Sequence, residues 1–193
     1  DQEFLHHIAQ AESANIWIAL SEIEYIFRHA LLRDAAYSMQ LLARQRELHA
    51  LAVSAMETVY RDDLESHYGE LAYHAEKAAW QEKALHYLTL AGKLALGVYQ
   101  NQRAIDYFAR ALVFVPSDDL RTRFDLLLLR VEGYYNLSNH EQQVGDLTEL
   151  DELASQLKDD GLLACAYMRR AYYFSTLGES QKALDYALLA KDL

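Results

Sequence analysis

The stretch that most restricts what this chain can become runs from Leu88 to Pro116, LTLAGKLALGVYQNQRAIDYFARALVFVP. Leu88, Ala91, Gly92 and Ala95 recur at the spacing of one helix face. After a polar break at Gln100-Asn101-Gln102, Ala104, Phe108 and Ala111 do the same. Pro116 closes the run, because it has no amide hydrogen with which to continue a helix. The pattern predicts two helices folded back as a hairpin. Gly92, Ala95, Ala104 and Ala111 carry little or no side chain, so the two backbones can approach closely. Leu88 and Phe108 fill the remaining volume.

The same economy of breakers holds along the whole chain. Seven Gly and one Pro in 193 residues are too few for the turns that a sheet protein needs, and Ala and Leu both favour helix. The length allows one large or two small domains with a real core. The single cysteine, Cys165, excludes an internal disulfide and fits a reducing compartment, so a cytoplasmic location is expected. No apolar run approaches bilayer-spanning length and no signal peptide is visible, so no membrane partner is expected. Asp1 opens what reads as a helix already under way, and Ala-Lys-Asp-Leu closes the chain without a cap. The expectation is a piece excised from a larger protein.

The net charge is −11. Residues 1–62 hold five Lys/Arg against nine Asp/Glu, and residues 63–193 hold 13 against 20. Neither part has the basic footprint of a nucleic-acid binder, so no nucleic-acid partner is expected.

In chain order, residues 2–13 read as a helix with Phe4, Leu5, Ile8 and Ala11 on one side. Residues 15–27 are β-branched and aromatic (Ile16, Trp17, Ile18, then Ile23, Tyr25, Ile26, Phe27) around Ser21-Glu22, which suits a short β-hairpin. A single amphipathic helix is the competing reading. Leu31, Leu32, Ala35, Ala36 and Leu41 suit one helix, and Leu48, Leu51, Ala52, Ala55 and Met56 a second. Residues 64–98 hold two more, with Tyr68, Leu71, Ala72 and Ala75 on the first and Ala84, Leu88 and Ala91 on the second. The helix at 81–98 therefore ends one unit and begins the next. Ser117-Asp118-Asp119 caps a helix over 118–136, whose stripe is Phe124, Leu127, Leu128, Val131 and Tyr135. Its partner over 140–158 carries Val144, Leu147, Leu150, Leu153, Ala154 and Leu157, and Asp159-Asp160-Gly161 makes a turn. The last unit spans 162–177 and 180–193, with Tyr167, Ala171, Phe174, Ala183, Ala187 and Ala190.

The order of large and small residues over 88–116 resembles the tetratricopeptide repeat, or TPR. The steps from Leu88 to Leu129 to Tyr167 are 41 and 38 residues, longer than the roughly 34 of a strict TPR. Residues 16–116 further resemble the junction found in large bacterial signalling proteins. There, a STAND-type or AAA-like ATPase module ends in a small winged-helix-like domain followed by helical repeats. The fragments that carry this likeness are Phe27-Arg28-His29-Ala30-Leu31, Ala36-Tyr37, Arg46-Glu47-Leu48-His49, Glu70-Leu71-Ala72-Tyr73-His74, Lys83-Ala84-Leu85-His86-Tyr87 and Ala91-Gly92. The resemblance implies an all-α fold, a TPR-like antiparallel helix-hairpin solenoid, with a short β-hairpin near the N-terminus as a winged-helix remnant. It implies residues 1–62 as the end of the winged-helix-like linker domain with its following helices, and 63–193 as TPR-like repeats cut at the C-terminus. The parent would carry a class III nucleotide cyclase or a transcriptional regulator domain.

Candidate chemistry is sparse. Glu3-Phe4-Leu5-His6 is a single Glu-x-x-His, where a di-iron bundle needs two such motifs and two further Glu, so no metal is expected. Gly92-Lys93 is followed by Leu94 and preceded by Tyr87 at the first Gly position of a phosphate loop, so no nucleotide cofactor is expected. Cys165, among Leu163, Ala164 and Ala166, reads as a small packing residue. His67 and His74 fall seven apart and read as a surface or packing pair. The expected function is binding of a protein or peptide, or signal relay to other domains of the parent, without catalysis. The first helices of the repeats should line the concave side, where Thr89, Lys93, Arg130, Tyr134, Met168 and Tyr172 are the non-core positions. Lys93 and Arg130 would attract acidic groups. Two alternatives compete with that function: DNA binding through the winged-helix remnant, which lacks a basic recognition helix, and a helical enzyme, which lacks a polar cluster in an apolar pocket. The apolar face of residues 180–193 is expected to pair with a second copy or to fray.

Overall fold

The computed structural model describes residues 2–20 and 25–193. Asp1, Ser21, Glu22, Ile23 and Glu24 lie outside the described residues, as do the side chains of Gln2, Phe4, Tyr25 and Ile26. The fold is all-α apart from one pair of short strands. It divides into two compact units, Asp1–Leu48 and His49–Leu193.

The first unit contains α1 (Gln2–Ser13), β1 (Trp17–Ala19), β2 (Tyr25–Phe27), α2 (Ala30–Ser38) and the start of α3 (Leu42–Val59). The strands pair antiparallel, Trp17 opposite Phe27 and Ala19 opposite Tyr25. The Trp17 and Phe27 rings meet edge to face at 5.8 Å, and Trp17 Nε1–H donates to the Ile8 carbonyl of α1. Leu41, expected within the helix of Leu31, instead sits in the break before α3. No residue of α2 is buried, and Leu31 is 83 % exposed.

The second unit begins at His49 rather than near residue 63, because Val53 of α3 is fully buried in the same cluster as Leu71, Ala84 and Phe108. Leu48 and Leu51, which the periodicity places in the α3 stripe, are exposed, and His49 and Val53 take the inward positions. A 3₁₀ turn over Glu65–His67 then leads into α4 (Tyr68–Lys77), α5 (Gln81–Gly97), α6 (Asn101–Val113), α7 (Leu120–Asn136), α8 (His140–Leu157), α9 (Asp160–Thr176) and α10 (Ser180–Lys191). Each of these helices packs against the next, and the short connections make neighbours antiparallel. As the sequence pattern requires, α5 packs against both α4 and α6.

Five of the six connections share one backbone device. A left-handed residue follows each helix: Ala79, Tyr99, Ser138, Lys158 and Gly178, with φ between 53° and 75°. The next amide reaches back five positions: Trp80 to Ala75, Gln100 to Ala95, Asn139 to Tyr134, Asp159 to Ala154 and Glu179 to Phe174, at 2.8–3.4 Å. These bonds satisfy carbonyls that a helix end otherwise leaves bare. Lys158 thus makes the reversal expected of Asp159-Asp160-Gly161. That frees the Asp159 carboxylate to accept from the Leu162 amide at 3.0 Å, and Gly161 lies inside α9. The exception is the α6–α7 link, which passes through Pro116 and ends at Asp119. The Asp119 side chain accepts from the Thr122 amide, as the cap signal requires.

Small residues set the helix spacing. A Cβ built on Gly92 would lie 2.5 Å from Phe108 Cε1, so only glycine lets the ring lie flat on α5. The interior forms two clusters, one from Val53 to Ala111 and one from Phe124 to Tyr173, and α7 contributes to both.

Candidate functional site

A cleft of about 850 Å³ opens among the described residues, with α5 as its floor and α4 and α6 as its walls. Ala91, Leu94, Ala95 and Val98 form the floor at positions one helical turn apart. Tyr73 and His74 stand on the α4 wall, and Arg103 and Tyr107 on the α6 wall. Glu65 and Glu70 sit toward the start of α4. Two alanines on the floor leave room that larger residues would fill. Gly69 has a related role: a Cβ there would lie 2.7 Å from the Tyr107 hydroxyl, so its absence lets Tyr107 cross to the α4 backbone.

The walls are braced from outside. Arg110 of α6 ion-pairs with Glu76 of α4, its Nε donating at 3.0 Å, and its guanidinium lies over the Tyr107 ring. Behind the α4 wall, His74 Nδ1 and His49 Nδ1 are 2.8 Å apart, so one ring donates and the other accepts. Burial holds both rings below the usual imidazole range. For His49, the charges of His74 and Lys77 push the same way. For His74, Glu70 opposes the shift without cancelling it. His67, read as a companion of His74, instead stacks on Tyr60 at 3.7 Å and faces Glu70.

A half-buried polar cluster lies elsewhere in the unit. Lys83 and the Tyr87 hydroxyl both donate to Glu57. Burial raises the Glu57 carboxyl, but these two hydrogen bonds outweigh it and the net shift is downward. Tyr87 moves up, through burial and then its bond to that carboxylate.

The six residues expected to line a groove are not gathered in one hollow. The Thr89 hydroxyl donates to the Leu85 carbonyl of its own helix. Lys93 stands in a shallow depression with Glu65, Tyr68 and Leu90. Arg130 is held by Asp146, with Nε and Nη2 donating at 2.7 and 2.6 Å, so its charge is already matched within the fold. Tyr134 lies beneath that guanidinium at 5.9 Å. Met168 is exposed on α9, and Tyr172, one turn further on, borders a small hollow with Val131, Tyr135, Gln143 and Arg169. Cys165 is a free, half-buried thiol. Among the described residues no three His, Cys, Asp or Glu side chains converge on one point, and no helix is long and apolar enough to cross a membrane.

The cleft residues escaped the periodicity because Leu94 and Val98 lie on a second apolar face of α5. Only the doubled stripe Ala91, Leu94, Ala95 and Val98 signals it. Comparison of the chain with protein-family models, curated proteins and solved structures gives no match.

Proposed function

We propose that this chain is a partner-binding and signal-relay module of TPR-like helix hairpins, acting in the cytoplasm within a larger bacterial signalling protein. In this reading it follows a STAND-type or AAA-like ATPase module and relays that module's state to a nucleotide cyclase or a transcriptional regulator domain. The observation that carries the reading is the cleft over α5. It is open, about 850 Å³ in volume, and lined by Tyr68, Tyr73 and Tyr107 over a floor of Ala91, Leu94, Ala95 and Val98. Tyrosines give large contact area at low cost in side-chain entropy, as binding surfaces require. The recurring left-handed turn supports the hairpin architecture.

A random-peptide library selected on this chain tests the proposal. Enriched peptides should lose binding on Tyr73→Ala, an exposed position whose change leaves the helical circular dichroism intact. Failure to enrich any peptide, or binding that ignores Tyr73→Ala and Arg103→Ala alike, would overturn it.

A further inference from the structure

A second, smaller hollow of about 260 Å³ opens where α7, α8 and α9 meet. Its apolar floor is Val131, which is buried, and its sides are the exposed rings of Tyr135 and Tyr172. Gln143 lines it from α8. This side chain is only 1 % exposed, yet its Oε1 has no hydrogen-bond partner in the protein. A buried carbonyl left in that state is costly, and a donor that reaches it recovers the loss. Arg169 closes the rim and donates to Glu132 at 3.3 Å, a partly exposed pair that offsets only part of its charge, and its guanidinium stays beside the opening.

We propose that this hollow takes one aromatic side chain ending in an N–H or O–H donor, an indole or a phenol, from an extended segment of a partner protein. The volume suits a single ring system and not a larger ligand. Two tyrosine faces and a guanidinium plane favour stacking on an aromatic ring, and Arg169 disfavours an ammonium group. Gln143 lines the hollow and its buried Oε1 lacks a partner, so a small turn of its amide lets it accept from a ring that carries a donor, which selects such a ring over a plain phenyl. Apolar surface continues past the hollow to Met168, which lies one turn from Tyr172 on the same face of α9. That continuity points to a chain segment, whose neighbouring residues would cover Met168. The inference rests on the reading of the chain as a partner-binding module, but it concerns a site separate from the α5 cleft.

The test is titration of the isotope-labelled chain with N-acetyl-tryptophanamide, N-acetyl-tyrosinamide, N-acetyl-phenylalaninamide and N-acetyl-lysinamide, followed by NMR. Shifts should concentrate on Val131, Tyr135, Gln143 and Tyr172. The tryptophan and tyrosine amides should bind roughly 3- to 10-fold more tightly than the phenylalanine amide, and the lysine amide should not bind. Gln143→Leu should abolish that preference, and Tyr172→Ala, at an exposed position, should weaken all aromatic probes. Equal binding of the tryptophan and phenylalanine amides, shifts located elsewhere, or no binding would each overturn the proposal. In all three cases, library peptides held in the α5 cleft would leave the broader reading standing. Absence of such peptides, with the hollow occupied as described, would overturn the cleft and keep the hollow.

Discussion

The α5–α6 pair and the α9–α10 pair have much the same ingredients and different fates. Both begin with a left-handed turn and both carry alanines at helical spacing. In α6, Ala104, Ile105, Phe108 and Ala111 are buried. In α10, no residue is buried, and Leu184, Leu188 and Leu189 are about half exposed. The difference lies in the neighbours: α6 is packed by α5 on one side and α7 on the other, whereas α10 meets α9, where Tyr186 stacks on Phe174 at 5.4 Å. Apolar spacing therefore records where a helix could be covered, and the adjacent element decides whether it is.

The widest gap between the two pairs should appear on deleting a core side chain. Phe108→Ala should cost about 3–5 kcal/mol, while Leu188→Ala should cost less than about 1 kcal/mol. Urea denaturation of both variants measures this, and equal losses would erase the contrast.

Gly92→Leu comes next. With Phe108 so close, it should cost about 1–3 kcal/mol or more. Because the two residues share one contact, Gly92→Leu with Phe108→Ala together should cost clearly less than the sum. Full additivity would mean that the ring and the glycine do not compete for the same space.

The histidine pair sharpens the comparison, since the α9–α10 end has no counterpart. Both rings titrate below 6.5 in the folded chain. The unfolded chain therefore binds protons first as pH falls, and stability should drop progressively below pH 6.5 and be flat just above pH 7. His49→Phe should flatten that slope. An unaltered slope in thermal melts across this range would assign it to other groups.

Smaller effects are expected at the turns. Tyr99 adopts φ 60° with a full side chain, so Tyr99→Gly should change stability by under about 1 kcal/mol, in the stabilising direction. Gly178→Ala, at φ 75°, should destabilise by a similar amount. The smallest thermodynamic effect belongs to Leu184→Lys with Leu188→Lys on the exposed face of α10, within about 0.5 kcal/mol per site. The same double variant should abolish any concentration-dependent association seen by light scattering. Hydrogen exchange comparing residues 180–193 with 101–114 separates a paired α10 from a frayed one: fast exchange marks fraying, and protection that rises with concentration marks pairing.

The helices from α4 onward were legible because alanine and leucine mark a 3.6-residue period plainly, and Asp119 announced its cap. The turns were less so. Ala79, Tyr99, Ser138 and Lys158 occupy a conformation usually signalled by glycine, and nothing in those side chains advertises it. The α3 register departs from the apolar spacing because His49, a polar residue beside Leu48, finds a partner 25 positions away in His74. Among the expected groove residues, Arg130 looked available because a sequence does not show that Asp146 lies on the facing helix. Gln143 gave no sign at all: buried and solvated glutamines read alike until three helices close around one of them.

Leu126 and Leu127 are consecutive in α7, yet Leu126 belongs to the cluster of Val53 and Phe108, and Leu127 to that of Leu147 and Tyr173. A helix that serves two interiors cannot melt without exposing both. Unravelling that begins at α10 can pass through α9 and α8 at the expense of the second interior alone, but it meets a barrier at α7. Native-state exchange should then sort the amides into two cooperative groups, with α7 reporting the higher opening energy. Such an arrangement lets strain applied to the last helices be absorbed locally, while the cleft over α5 keeps its shape.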